Sequence, residues 1–137
     1  MSYNCIGLSP KINTQIPEIL KADYLKLNPK EQVRHTREQI RFHEANPGVS
    51  FHCTSFIWKP IWAFVTQVCS EVLTEYQIKY GYYNGSAMVD EDAVERMVFL
   101  LDIQIALGNH TRYECLEAKA LEDFVEFLAQ CGGFIIM

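Results

Sequence analysis

The stretch Trp58-Lys59-Pro60-Ile61-Trp62 is the most distinctive in the chain. Proline is tolerated in the first turn of a helix, so Pro60 predicts that a helix begins there. We expect Trp62 to be buried in the core. Trp58 lies before the predicted first turn, so we expect it to be partly accessible, with Lys59 exposed beside it. The alternative interpretation is that both indole rings only anchor the helix in the core.

Other segments on both sides of this stretch also predict helices. Asn28, Pro29 and Glu31 form a capping-box-like start. A second capping box at Thr74 and Gln77 begins a short helix that ends at Gly81. A weak helix is predicted over Thr14–Leu27, in addition to the one at Pro60. The other predicted helices are Pro29–Ala45, Thr74–Gly81, Asp90–Leu107 and Glu114–Gln130. The Asp90–Leu107 segment is apolar over most of its circumference, which predicts a helix at the centre of the domain.

Three short segments rich in β-branched or aromatic residues predict strands: Tyr3–Leu8, Val49–Ile57 and Phe134–Met137. A free apolar tail is costly in water, so we expect the last of them to pair with one of the other two. The chain of 137 residues shows no internal linker. We therefore predict a single α+β domain over residues 1–137, mainly helical, with a small sheet or paired terminal strands.

Charge is distributed unevenly along the chain. The formal net charge is −5, which argues against generic nucleic-acid binding because such domains are usually basic. By count from the sequence, residues 1–60 carry a net charge of +3 and residues 61–137 a net charge of −8. The two halves either attract each other within one fold or each offer a patch of one sign to a partner.

The five cysteines are odd in number and form no Cys-x-x-Cys pair, which favours free thiols in a reducing compartment. We also find no signal peptide and no apolar stretch long enough for a membrane span. We therefore expect a cytoplasmic protein with no membrane partner. No pattern typical of a metal or cofactor site occurs.

Two candidate binding surfaces emerge. Lys30, Arg34, Arg37 and Arg41 recur at spacings of four, three and four, which places a basic stripe along one side of the Pro29–Ala45 helix. This stripe is either a solvated face or a docking surface for phosphate or an acidic partner. The second surface combines Trp58 and Lys59 with the loop at Tyr82, Tyr83 and Asn84, because Asn-Gly turns lie at protein surfaces.

His52-Cys53-Thr54 is the one stretch that suggests catalysis. It matches one His-x-Thr element of the kind that two-histidine phosphoesterases contain twice, so that one imidazole acts as base and the other as acid. None of the other three histidines is followed by Thr or Ser two positions later. An ordinary strand histidine is therefore the competing interpretation.

Four pieces of the chain together resemble an uncharacterised family of small bacterial and phage-encoded proteins. Its members have a Gly-x-x-Pro segment, a central Trp-x-Trp-Arg-Pro-Leu-Trp stretch, an Asn-Asp-Gly turn and sometimes a Gly-Gly-Phe end. The matching pieces here are Asn4–Pro10, Phe56–Trp62, Tyr83–Ser86 and Cys131–Phe134. Phe56 and Lys59 replace a Trp and an Arg of the central stretch, and the Asp of the turn is absent. No activity is assigned to this family, so the resemblance implies only a phage or mobile-element setting.

These observations favour a non-catalytic binding protein that acts on a protein partner or on a second copy of itself. The alternative is a protein that binds or sequesters a small, nucleotide-like anion through aromatic stacking and Lys or Arg contacts. A third hypothesis is a hydrolase that uses His52 and Thr54.

Overall fold

The computed structural model describes all 137 residues as an α+β fold of five helices and a four-stranded sheet. The helices are α1 (Pro29–Ala45), α2 (Ser55–Val68), α3 (Glu75–Tyr82), α4 (Glu91–Ala106) and α5 (Ala118–Gln130). The strands are β1 (Ser2–Gly7), β2 (Ser50–Thr54), β3 (Met88–Val89) and β4 (Phe134–Ile136). Three short 3₁₀ turns complete the chain: Glu18–Lys21, Tyr24–Lys26 and Asn109–Arg112. The first two of these replace the weak helix that was predicted over Thr14–Leu27.

The sheet is antiparallel throughout and has the strand order β2-β1-β4-β3. The C-terminal tail therefore forms an inner strand, in which Ile135 pairs with Ile6 of β1 on one side and with Met88 of β3 on the other. This confirms the prediction that the tail pairs with one of the other two predicted strands, and the strand it pairs with is the N-terminal one. The strand β3 was not predicted, because two residues are too few to show the alternation by which a strand is recognised.

The helix α2 begins earlier than Pro60, and this changes the environment of Trp58. Thr54 is the N-cap residue, so Trp58 and Trp62 both lie inside one helix at a spacing of four and share a face. Pro60 deprives the Phe56 carbonyl of its helical donor, but Phe56 is exposed and water can replace that donor. Both tryptophans are fully buried. The prediction for Trp62 is confirmed, and the prediction that Trp58 is partly accessible is wrong.

The core lies between one face of the sheet and the helices α2, α4 and α5. Aromatic rings form its centre: Phe124 of α5 packs edge-on against Trp58 at 5.3 Å and against Phe134 of β4 at 6.1 Å between ring centroids. Such edge-to-face pairs add to the stabilisation that burial of the rings provides. The core therefore joins the α2 helix to the C-terminal helix and strand.

The composition of α4 predicted a helix at the centre of the domain. In the structure, α4 lies at the surface instead. Its buried residues, Val94, Met97 and Leu101, all lie on the side that faces α2 and α5. On the opposite side, 66% of Phe99 and 68% of Leu107 are exposed. The prediction failed because apolar residues all round a helix indicate burial only when protein covers every side. In this structure one apolar side of α4 is uncovered.

The helix α1 has the predicted bounds and the predicted capping box, in which the Asn28 side chain accepts from the Glu31 amide at 2.8 Å. No residue of this helix is buried. It packs mainly on the Glu18–Lys21 turn and stands outside the core. The longest helix of the domain is thus also the one that contributes least to its interior.

Candidate functional site

Trp58 belongs to the core and not to a binding surface. Its ring stacks between Trp62 and Tyr3, with centroid distances of 5.2 and 5.5 Å. Its indole Nε1 donates to the Gly81 carbonyl oxygen at 2.9 Å. A side chain with no exposed surface cannot contact a partner unless the fold opens. The predicted surface therefore loses its central aromatic residue.

The other members of that predicted surface do lie near the protein surface, but the structure does not join them into one site. Lys59 is exposed, as expected, and makes no hydrogen bond or cation–π contact with Tyr82 or Tyr83. Tyr83 is 71% exposed, whereas Tyr82 is half-buried. Asn84 has a positive φ of 55° and donates from Nδ2 to the Ser2 carbonyl oxygen at 3.2 Å. The loop thus rests on the start of β1.

The basic stripe, in contrast, is a continuous exposed surface along α1. Lys30, Arg34, Arg37 and Arg41 are all exposed. Arg41 pairs with Glu38 of the same helix at 3.1 Å. The other three cations make no ion pair within the chain. Three unpaired positive charges therefore lie within three turns of one helix.

An apolar strip runs beside these cations on the outer side of α1. Val33 is 59% exposed and Ile40 is 55% exposed, and a spacing of seven residues brings them to the same side of the helix. They line a surface groove of about 570 Å³ together with Arg37 and Tyr24. The seven-residue spacing of Val33 and Ile40 is visible in the sequence and is the signal that could have identified this strip. We call Val33 and Ile40, with the cations Lys30, Arg34 and Arg37, the α1 docking face.

The C-terminal end of α1 is held firmly, although the helix lies outside the core. Asn46, directly after the helix, is fully buried. Its Nδ2 donates to Thr14 Oγ1 at 2.9 Å and to the Phe42 carbonyl oxygen at 2.8 Å, and its Oδ1 accepts from the Asn13 amide at 2.5 Å. Buried, fully used polar groups of this kind fix local geometry. The α1 docking face is therefore presented in a defined orientation.

The surface cavities do not use the predicted aromatic residues. The five main cavities have neither Trp58, Trp62, Tyr82 nor Tyr83 in their linings. One of them, of about 550 Å³, combines apolar residues of α2 and α4 with amide side chains and one arginine. Its lining residues are Phe64, Gln67, Val68, Leu100, Gln104, Asn109, Arg112 and Tyr113.

The residues of the His-x-Thr element occupy structural positions in β2 and at the start of α2. His52 is exposed on β2, and its Nδ1 lies 2.5 Å from Asn4 Oδ1 on the neighbouring strand. Thr54 is the N-cap residue of α2. His52 does not line any of the five main cavities. The structure also contains no cluster of three or more His, Cys, Asp or Glu side chains suited to hold a metal ion.

All five cysteines are free thiols, and all but Cys115 are buried. Burial raises the pKa of Cys53 and Cys131 to about 11 and the pKa of Cys69 to about 12. Burial also raises the pKa of Cys5 well above its ordinary value. Thiols with raised pKa values stay protonated at neutral pH and are poor nucleophiles. These four cysteines therefore belong to the core and not to a reactive site.

None of the helices is both long enough and apolar enough to cross a membrane. A comparison of the chain with protein-family models, curated proteins and solved structures finds no match in any of the three.

Proposed function

We propose that this protein is a non-catalytic binding protein that docks onto a protein partner through the α1 docking face. The observation that supports this most directly is the exposure of Val33 and Ile40 beside three unpaired cations, on a helix that contributes no buried residue. A helix that serves only the core would turn its apolar residues inward. In α1, two β-branched apolar side chains face the solvent instead.

The chemistry of this face indicates the kind of partner. Val33 and Ile40 supply an apolar strip whose burial stabilises a complex by roughly 25 cal/mol per Å² removed from water, before the cost of association. Arg34 and Arg37 offer donors to carboxylates, and arginine is enriched at the residues that dominate binding energy. The partner should therefore present an apolar strip with acidic residues along its edge.

The alternative function, binding of a small nucleotide-like anion, has less support. It requires an aromatic ring over which a base can stack, with cations beside it, inside a concave site. On α1 the cations border an open groove in which Tyr24 is the one aromatic residue. A long apolar strip also gives a small, polar ligand little to contact.

The setting of this function rests on two further arguments. We propose a cytoplasmic location, because five free thiols fit a reducing compartment. A phage or mobile-element setting follows only from the resemblance noted in the sequence. In such a setting, a small protein with a docking helix would act by binding another protein chain.

Affinity purification from the native host tests the proposed function. The α1 variant Arg34→Glu/Arg37→Glu is compared with the wild-type protein and with Lys59→Glu/Lys79→Glu, which changes the charge equally at exposed sites outside α1. We expect a cross-linked partner, identified by mass spectrometry, to be lost from the α1 variant and retained by the control. Equal recovery with all three proteins would contradict the proposal. If the partner were lost only from the Lys59→Glu/Lys79→Glu control, the binding site would lie near Lys59 or Lys79 and not on α1.

A further inference from the structure

The uncovered side of α4 forms a second apolar strip on the same molecule. Phe99, Ile103 and Leu107 follow each other at spacings of four, and all three are exposed. Two acidic residues border this strip: Glu95 and Asp102 are exposed on the same helix and make no ion pair within the chain. Arg96, seven residues before Ile103, is the one cation on this side of α4. We call the three apolar and two acidic residues the α4 acceptor face. In composition it is the counterpart of the α1 docking face.

The two faces also match in length. At a rise of 1.5 Å per residue, Val33 and Ile40 are separated by about 10 Å along α1, and Phe99 and Leu107 by about 12 Å along α4. Each apolar strip has charged residues along its border, predominantly positive on α1 and predominantly negative on α4. Complementary charge at the rim speeds encounter and disfavours wrong partners.

We infer that the partner of the α1 docking face is the α4 acceptor face of a second copy of this chain. This inference rests on the proposed function and specifies its partner. In the complex, the strip of Phe99 and Ile103 would cover Val33 and Ile40, and the cations of α1 would lie beside Glu95 and Asp102. The positively charged first half of one copy, which contains α1, then attracts the negatively charged second half of the other copy, which contains α4.

Contacts between identical faces would be less favourable. Two α4 helices facing each other would bring two negative helices together, since each carries Glu91, Asp92, Glu95 and Asp102 against a single arginine. Two α1 docking faces would bring their unpaired cations together. Contact between unlike faces instead places the cations of α1 beside Glu95 and Asp102, where opposite charges attract.

A contact between unlike faces has a consequence for assembly. Each copy offers one docking face and one acceptor face, so a single head-to-tail contact leaves one face free on each of the two copies. Further copies can add to these free faces to give an open chain, or the free faces can pair with each other and close the assembly into a ring. One pair of helices buries less surface than a standard stable interface, so we expect association to depend on protein concentration and to weaken as salt is added.

Two single-face variants test this arrangement by analytical ultracentrifugation. Val33→Asp/Ile40→Asp disables the docking face, and Phe99→Asp/Ile103→Asp disables the acceptor face; all four sites are exposed, and circular dichroism checks that each variant is folded. Phe56→Asp, at an exposed apolar residue outside both faces, is the matched control. Because both variants introduce aspartate, their disabled faces cannot complement each other.

We expect the average mass of the wild-type protein and of Phe56→Asp to rise with concentration, and each single-face variant to remain monomeric. An equimolar mixture of the two variants should form a 1:1 dimer and nothing larger, because only one intact pair of faces remains. A wild-type protein that stays monomeric at every concentration would overturn this inference. The proposed function would then still stand if affinity purification finds another protein whose binding depends on α1. A mixture that fails to dimerise would also overturn it.

Discussion

The indole ring of Trp58 lies parallel to that of Trp62, with ring centroids 5.2 Å apart and an angle of 16° between the planes. Both indoles donate hydrogen bonds to α3: Trp62 Nε1 to the Ile78 carbonyl oxygen at 3.0 Å and Trp58 Nε1 to that of Gly81 at 2.9 Å. The Tyr3 hydroxyl donates to the Tyr82 carbonyl oxygen. Carbonyls at the end of a helix lack partners of their own, and a helix of eight residues is marginal in isolation. These donors hold α3 on the core.

Replacing either tryptophan should therefore destabilise the fold. We expect Trp58→Ala and Trp62→Ala each to lower the free energy of unfolding by about 3–5 kcal/mol, because each leaves a large cavity. Trp58→Ala also leaves the buried Gly81 carbonyl without its donor. Urea denaturation followed by circular dichroism measures this change. Lys59→Ala, exposed between them, is the control and should change stability by less than about 0.5 kcal/mol. If Trp58→Ala lowered the free energy of unfolding as little as Lys59→Ala does, this would contradict the buried position of Trp58.

Gly81 allows α3 to approach the Trp62 ring closely. A Cβ atom at this position would lie 2.3 Å from Trp62 Cε2. Glycine to alanine inside a helix usually stabilises by about 0.5–1 kcal/mol, whereas overpacking a core costs about 1–3 kcal/mol. We therefore expect Gly81→Ala to destabilise the protein in thermal and urea unfolding. In a Trp62→Phe background the added penalty should shrink, since the smaller ring leaves room for the methyl group. An equal penalty in both backgrounds would show that the clash is not with Trp62.

Helix boundaries can be predicted well from the sequence wherever a local motif defines them. In the capping boxes at Asn28 and Thr74, both hydrogen bonds join residues that are three apart in the sequence. Both helices begin where predicted. The start of α2 was placed too late because Pro60 resembles a helix start, while the true N-cap, Thr54, makes no side-chain capping hydrogen bond. The start of α5 was placed at Glu114, but Glu117 caps it by accepting from the Ala120 amide.

The C-terminal strand should be essential to the sheet. Ile136 is fully buried and pairs with Cys5, whereas its neighbour Met137 is exposed. We expect Ile136→Ala to lower the free energy of unfolding by about 2–5 kcal/mol and Met137→Ala to change it little. Deletion of residues 134–137 should be more severe, because it removes a strand that pairs on both sides. Unchanged melting temperatures for Ile136→Ala and the deletion would mean that the tail does not form β4 in solution.

Stability should fall in mildly alkaline solution because of the buried thiols. Thiols of the unfolded chain ionise near pH 8.5, whereas burial holds the pKa of Cys53 and Cys131 at about 11. Above pH 8.5 the unfolded state therefore binds fewer protons than the folded state, and the free energy of unfolding decreases as pH rises. Urea denaturation between pH 8 and pH 10 measures the slope. Cys69→Ala should make the slope shallower, while Val65→Ala, at a buried site without a thiol, should leave it unchanged. A slope of zero in the wild-type protein would contradict this account.

The candidate site was only partly accessible to sequence reasoning. The spacing of Arg34, Arg37 and Arg41 placed the basic stripe correctly on one side of a helix. The sequence does not show which side of an apolar helix the rest of the domain covers, because that depends on contacts between distant segments. For this reason Phe99 of α4 was expected at the centre of the domain, and Trp58 at the surface.

Photo-crosslinking from α1 tests most directly whether the α1 docking face binds the α4 acceptor face of a second copy. A photo-reactive amino acid replaces Val33 in one variant and Gln39, exposed on another side of α1, in the control. We expect the probe at position 33 to form a cross-linked dimer whose attachment point, located by mass spectrometry, lies within residues 99–107 of the other copy. The control probe should give no such product. A probe at position 33 that forms no cross-link, or one that attaches equally from position 39, would contradict the claim.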